Sequence, residues 1–281
     1  LFQFFAFSSI LADETNFRLR ENQIEQGYSE ADIEAEIQFG RNLAATILAK
    51  YKLHPNRELQ RYIATLGTAI ASQIGRDELT YYFAVIDVDD INAYACPGGY
   101  IFITKGAIQT MANEAQLAGV IAHEIGHVDH RHVVKNLKIR AKGDSATSGI
   151  AAAFGGTSAT ARILLDQLTE KAFSLLFEEG INKDSEFEAD ATGVEILTAL
   201  GYDWQSYRDY VAGLQGYIGQ GQGQVLNKTH PSVSQRVDKI TQFSNQSNFG
   251  ELHGKTGYFR VTPGTDEENE KFMQFIKSYF G

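Results

Sequence analysis

Residues 113–141 read NEAQLAGVIAHEIGHVDHRHVVKNLKIRA. Few breakers interrupt this stretch, so it predicts one long helix from Asn113 to about Ala141. Inside it lies His123-Glu124-Ile125-Gly126-His127. On a helix, positions four apart lie one above the other, which converges the two imidazoles on one ion and lets Glu124 reach a water on that ion. Neutral imidazoles suit zinc, and zinc lowers the pKa of a bound water to about 7, so a nearby carboxylate can take its proton as the water attacks a carbonyl. The reading is zinc, one ion per chain, held by His123 and His127. Glu124 is the general base and then the acid that protonates a leaving amine.

Such a site needs a third ligand. In the metzincin pattern the helix breaks at a Gly three residues after the second His and a further His follows; here those places hold His130 and Val133, so that pattern fails. In the alternative pattern the third ligand is a Glu on a separate helix. Of the ten Glu residues downstream, Glu186 alone is followed four residues later by Asp, in Glu186-Phe-Glu-Ala-Asp190. That spacing lets Glu186 face the metal. Asp190, one turn on along the same face, accepts a hydrogen bond from the far nitrogen of a ligating His and fixes its tautomer. His130 and His132 read as exposed or as lying behind the ligands, His54 and His253 as structural or solvated, and Trp204 as core.

With these residues in view, the chain resembles the gluzincin metallopeptidases that include the CAAX prenyl endopeptidases, the heat-shock membrane protease HtpX and the soluble, periplasmic BepA-like proteins. The resemblance covers about Leu53 to Ile240 and rests on four islands in order: Ile91-Asn-Ala-Tyr-Ala-Cys-Pro-Gly-Gly-Tyr-Ile-Phe102 with Gly106, then HEIGH, then EFEAD, then Thr229-His-Pro-Ser232 with Arg236. It implies a zinc endopeptidase in which the strand before the active helix, Asn92, Ala93, Tyr94 and Ala95, pairs with an extended polypeptide substrate. Cys96, in the loop after that strand, reads as a small buried or loop thiol rather than a thiolate latch on zinc. His230 is expected beside the zinc, as a fourth ligand or as a hydrogen-bond donor to the developing oxyanion, against the alternative that it only caps the next helix. Arg236 is a catalytic candidate that could reach the same oxyanion or instead pair with a structural carboxylate.

Outward from these islands, a helix runs from Ser29 to Tyr51 and a second from after Pro55 to near Gly75. Leu79 to Val88 (LTYYFAVIDV) and Tyr100 to Thr104 (YIFIT) are rich in aromatic and β-branched residues and predict a small antiparallel sheet beside the active-site helix. A Gly/Ala/Ser/Thr-rich stretch, Gly143 to Ala161, carries little information. Helices resume from Ile163, with a strong one from Asp184 to Leu200. A break at Gly216 to Gly223 precedes a helix after Pro231, and a last helix spans about Asp266 to Tyr279. The fold class is α+β, a mainly helical zincin-like domain over 13–281.

Residues 1–12, LFQFFAFSSILA, read either as the remnant of a signal peptide or anchor or as an arm packed on the domain. No stretch reaches the roughly 20 apolar residues of a membrane-spanning helix, so the multispan branches fit less well than the exported one. An exported, periplasmic or membrane-associated place is the expectation, with envelope proteins as partners. The 281 residues, 43% hydrophobic and 21% charged, suffice for a full core, and the net charge of -10 is the wrong sign for a nucleic-acid partner. One cysteine excludes an intrachain disulfide. The combined reading is a zinc-dependent endopeptidase of unfolded or extended polypeptides in envelope quality control. The rivals are a zinc-containing chaperone-like module and a self-inhibited pseudo-protease.

Overall fold

The computed structural model describes residues 27–74, 76–141, 159–221 and 224–247, with 274 and 278. The expected segment 1–12, most of the Gly143 to Ala161 stretch and nearly all of the expected last helix lie outside these residues.

Helix α1 (Glu30–Lys50) begins at Ser29, whose hydroxyl accepts from the Asp32 amide while the Asp32 carboxylate accepts from the Ser29 amide. Its Ala35, Phe39, Leu43 and Ile47 form a buried stripe at helical spacing. Helix α2 (Arg57–Ile74) is started by the Asn56 side chain, which accepts from the amides of Glu58 and Leu59. Strands β1 (Tyr82–Ile86), β2 (Ala93–Cys96) and β3 (Tyr100–Thr104) follow, with a turn at Pro97–Gly99.

The sheet is small, as its sequence predicts, but mixed rather than wholly antiparallel. Strand order is β1-β3-β2, with β2 and β3 antiparallel and β1 and β3 parallel, Tyr82 opposite Tyr100 and Ile86 opposite Thr104. The chain reverses before β2 and again at the Pro97–Gly99 turn, so β3 runs with β1. Strand β3 takes the centre because Ile101, Phe102 and Ile103 are buried in succession, the pattern of a strand covered on both faces.

Helix α3 (Lys105–Gln109) leads to α4 (Glu114–Asp129), which starts at Asn113, the side chain of which accepts from the Gln116 amide. The expected single helix from Asn113 to Ala141 is in fact two, because α4 stops and α5 (His132–Leu137) begins after Arg131 in the left-handed conformation at φ 54°. The cause is tertiary: the buried Arg131 guanidinium turns inward to Glu36, 3.2 Å away, and to Glu78, 3.2 Å away. Helices α6 (Ala159–Ser174), α7 (Lys183–Ala199), α8 (Trp204–Gly219), α9 (Gln224–Thr229) and α10 (Val233–Gln246) complete the described chain, with a π-helical turn at Leu175–Glu179. The break expected from Gly216 begins only past Gly219. Gly213, Gly216 and Gly219 face open space, so none interrupts the packing of the helix's apolar side.

Two apolar clusters meet at the sheet. One joins α2, β1, α4, α7 and α8, and the other joins α1, Tyr94 and Phe102 to α6 and the π-helical turn. Helix α4 lies between neighbours on every side: from Leu117 to Asp129 each residue is buried. Its ends are clasped. At the start, Glu114 accepts from Tyr62 at 2.7 Å and Tyr202 at 3.0 Å; at the finish, Asp129 accepts from Tyr81 at 2.6 Å. Among the described residues no helix is long and apolar enough to cross a membrane.

A buried charge network ties α1 to this end of α4. Glu36, 1% exposed, meets Arg76 at 2.6 Å and Arg131 at 3.2 Å and lies over the Pro97–Gly99 turn. Removing one partner of a buried ion pair leaves the others desolvated without compensation. Glu36→Ala should therefore lower the free energy of unfolding by about 3–5 kcal/mol in urea titrations. A loss below about 1 kcal/mol would mean that this network behaves like a surface pair.

Candidate metal centre

Helices α4 and α7 cross closely at two glycines, where an added methyl group would be crowded. A methyl group on Gly126 would come within 3.2 Å of Ala189 and Thr192, and one on Gly193 within 3.2 Å of the His123 backbone. This closeness brings the short Glu186 side chain over the imidazoles. His123 Nε2 lies 3.0 Å from His127 Nε2 and 3.7 Å from Glu186 Oε2, and His127 Nε2 lies 3.5 Å from Glu186 Oε1. A zinc ion bound tetrahedrally at roughly 2.0–2.1 Å places its donors about 3.3 Å apart, so these separations are those of three ligands around one ion.

The donor chemistry fits as well. Glu186 Oε2 is buried with no hydrogen-bond partner, a state that calls for a cation. Burial pushes the Glu186 carboxyl well above the usual carboxylate range, Asp190 and Glu124 adding to that and Arg236 opposing it. Burial also holds His123 and His127 below the ordinary imidazole value, so both are neutral and offer lone pairs. Glu124 is buried beside them, and burial raises its carboxyl to about 8. A divalent ion among these groups would invert the balance for the carboxylates.

Beneath these three donors lies a second layer of polar groups. His123 Nδ1 is 2.9 Å from Asp190 Oδ1, the arrangement expected from the four-residue spacing of Glu186 and Asp190. Asp190 in turn accepts from Arg236 at 2.6 and 2.9 Å and from the Tyr207 hydroxyl at 2.7 Å. Despite its burial, the Asp190 carboxyl stays well below the usual range because Arg236 and His123 favour its charge. Of the two places that the sequence allows Arg236, the geometry has the pairing with a carboxylate, its guanidinium on Asp190. Behind His127, its Nδ1 is 2.8 Å from His132 Nδ1, and His132 Nε2 is 3.0 Å from Glu188 Oε2. Tyr207 and Glu188 escape the sequence reading. Tyr207 sits on a different helix with no spacing to mark it, whereas Glu188 stood in plain view between Glu186 and Asp190.

His230 reaches this cluster from the end of α9: its Nε2 is 3.3 Å from Glu186 Oε2 and its Nδ1 is 2.8 Å from Thr229 Oγ1. It does not cap the next helix, since the residue before α10 is Ser232, the hydroxyl of which accepts from the Gln235 amide. Of the strand residues, Ala93, Tyr94 and Ala95 lie in β2 at the sheet edge, and Asn92 precedes it, tied to Thr104. Cys96 ends that strand fully buried, and burial raises its thiol, as suits a packed side chain rather than a thiolate.

Comparison with known proteins places the chain in a family. The family model described as Peptidase family M48 matches residues 55–244. The beta-barrel assembly-enhancing protease of Escherichia coli K12 is 26% identical over 225 residues, 78% of this chain and 45% of that protein. Metalloprotease YcaL of the same strain is 26% identical over 178 residues, 63% of this chain and 67% of its own length. The mitochondrial metalloendopeptidase OMA1 of Schizosaccharomyces pombe is 26% identical over 192 residues, 68% of this chain and 52% of its own. The matched region is thus less than half of the assembly-enhancing relative.

If the three donors hold the ion, elemental analysis of purified protein should find one tightly bound zinc per chain, lost in His123→Ala, His127→Ala and Glu186→Ala. Asp190→Asn keeps the shape but removes the charge behind His123, and should weaken zinc by about 10–100-fold. Full metal content in Glu186→Ala would refute the ligand assignment.

Proposed function

The chain belongs to peptidase family M48, and from that membership we propose that it is a zinc-dependent endopeptidase that cuts unfolded or extended polypeptides. One observation carries the reading: a buried carboxylate, Glu186, whose Oε2 has no hydrogen-bond partner, facing two neutral imidazoles with Glu124 buried beside them. Zinc held by His123, His127 and Glu186 would supply an acidified water and polarise the scissile carbonyl.

The chain's own residues do the rest. Glu124 accepts the proton of the attacking water and returns it to the leaving amine, and burial keeps that proton from escaping to solvent. Asp190 holds the proton of His123 on Nδ1, which leaves Nε2 bare toward the ion, and Arg236 with Tyr207 keeps Asp190 in place. His230 serves either as a fourth donor that closes the site at rest or as a hydrogen-bond donor to the oxyanion once substrate has displaced it. Burial and the Arg236 charge keep His230 neutral, which suits the first role, and its position 3.3 Å from Glu186 suits both. Strand β2 is a sheet edge beside the active helix, so a substrate can add to it as a further strand. Backbone pairing of that kind tolerates many sequences. Together with relatives named for assembly enhancement, it supports a role in envelope protein quality control for an exported chain.

Glu124→Gln tests the chemistry: the variant should keep its zinc and its fold, while the rate of casein cleavage falls by roughly 10²–10⁴-fold. Wild-type cleavage in this variant, or in protein stripped by chelator, would refute the proposed function. His230→Ala should retain zinc on the other three donors and change the rate. It rises where the imidazole closes the resting site, and falls by about 10²–10³-fold where it serves the oxyanion. An unchanged rate removes His230 from the mechanism.

A further inference from the structure

A second set of donors lies behind the first. His130, His132 and Glu188 offer ligand atoms within 4.8 Å of one another, an arrangement shared among the described residues only with His123, His127 and Glu186. On an unbroken helix, residues two apart point to different sides. Here the left-handed turn at Arg131 folds the chain back, and the His130 and His132 rings lie parallel within 10°, their centroids 5.4 Å apart. Glu188, two residues beyond Glu186, points away from the first site and toward this one. Its Oε1 is 3.3 Å from His130 Nδ1 and its Oε2 is 3.0 Å from His132 Nε2, close to the roughly 3.3 Å edge of a tetrahedral zinc site.

The surroundings of these donors suit an ion. His130 Nε2 is 2.8 Å from Thr192 Oγ1, so its proton can go to the hydroxyl and leave Nδ1 bare, the outer contact that orients a ligating imidazole. Glu188 bridges the two imidazoles, one oxygen to each. Its side chain is half exposed, which opens the site to solvent. We propose that His130, His132 and Glu188 form a second divalent-cation site of imidazole and carboxylate type, selective for zinc-like ions and weaker than the first, and that the two sites oppose each other.

The opposition comes from one proton. His127 Nδ1 and His132 Nδ1 are 2.8 Å apart, so one of them donates and the other accepts. An ion on His127 Nε2 leaves the proton on His127 Nδ1. His132 then accepts at Nδ1 and carries its own proton on Nε2, toward Glu188. An ion on His132 Nε2 requires that proton on Nδ1 instead, where two N–H groups would face each other. One buried hydrogen bond is lost when both sites fill, about tenfold in affinity, and by linkage each ion weakens the other equally. The opposition rests on the proposed ligation through His127; the second site itself does not.

Equilibrium dialysis of the full chain against zinc, read by elemental analysis, tests both statements. Wild-type protein should show a tight and a weaker class of one ion each. His123→Ala should remove the tight class and strengthen the weaker about tenfold, while His130→Ala and the isosteric Glu188→Gln should each abolish the weaker. A single class in wild-type protein, or a weaker class unchanged in both His130→Ala and Glu188→Gln, overturns the site. Equal affinity of the weaker class in wild type and His123→Ala overturns the opposition. Both classes in a chain that cuts no polypeptide would support this site and refute the proposed function.

Discussion

Two carboxylates one turn apart on one buried helix face cannot both ionise without separate cations, and that constraint on Glu186 and Asp190 organises the domain. Asp190 takes its cation from protein: Arg236 arrives from α10, with the Tyr207 hydroxyl from α8, so the electrostatics of one residue fixes how three helices pack. Glu186 faces imidazole nitrogens instead, and a metal held there would supply the charge that neutralises it. Because the two groups face different partners, the same helix turn presents one carboxylate toward the candidate metal position and another behind the His123 ring.

The parts of this site that local geometry dictates were legible in the sequence. A four-residue repeat on a helix must stack side chains, so His123 over His127 and Glu186 over Asp190 could be read before any contact was known. The run Leu79 to Val88 announced a strand, and Ser29 announced the start of α1. What escaped was decided by residues far apart in the chain. Arg131 adopts φ 54° although it is not glycine, a conformation disfavoured by about 1–2 kcal/mol. Its guanidinium is drawn to Glu36, 95 residues earlier, and no pattern near Arg131 announces that pairing. The parallel pairing of β1 with β3 is likewise chosen by burial on both faces of the central strand. Arg236 stayed ambiguous for the same reason, since the carboxylate that it serves lies 46 residues away.

The island Ile91 to Phe102 shows how a recognisable motif can be mostly architecture. Asn92 and Thr104 bracket the hairpin, the Thr104 hydroxyl donating to the Asn92 carbonyl at 2.8 Å and accepting from its amide at 3.1 Å. Gly98 turns at φ 71° against the backbone of α1, where Gly40 leaves room for the Pro97 carbonyl. These contacts press α1 onto the turn and leave β2 at the edge, next to the helix that carries the ligands. The hairpin's residues thus fix the position of the sheet edge without themselves joining the His123, His127 and Glu186 cluster.

The glycine crossing of α4 and α7 also has a consequence for the order in which the protein assembles. His127 and Glu186 are separated by about 60 residues, so they meet only after a large loop has closed and the two helices have come into backbone contact. Such non-local closure belongs to the late, slow part of folding. The affinity for any metal held by these donors would then include the free energy of forming that seam, and a loosening of it, however distant from the imidazoles, would show first in metal binding and only later in folding.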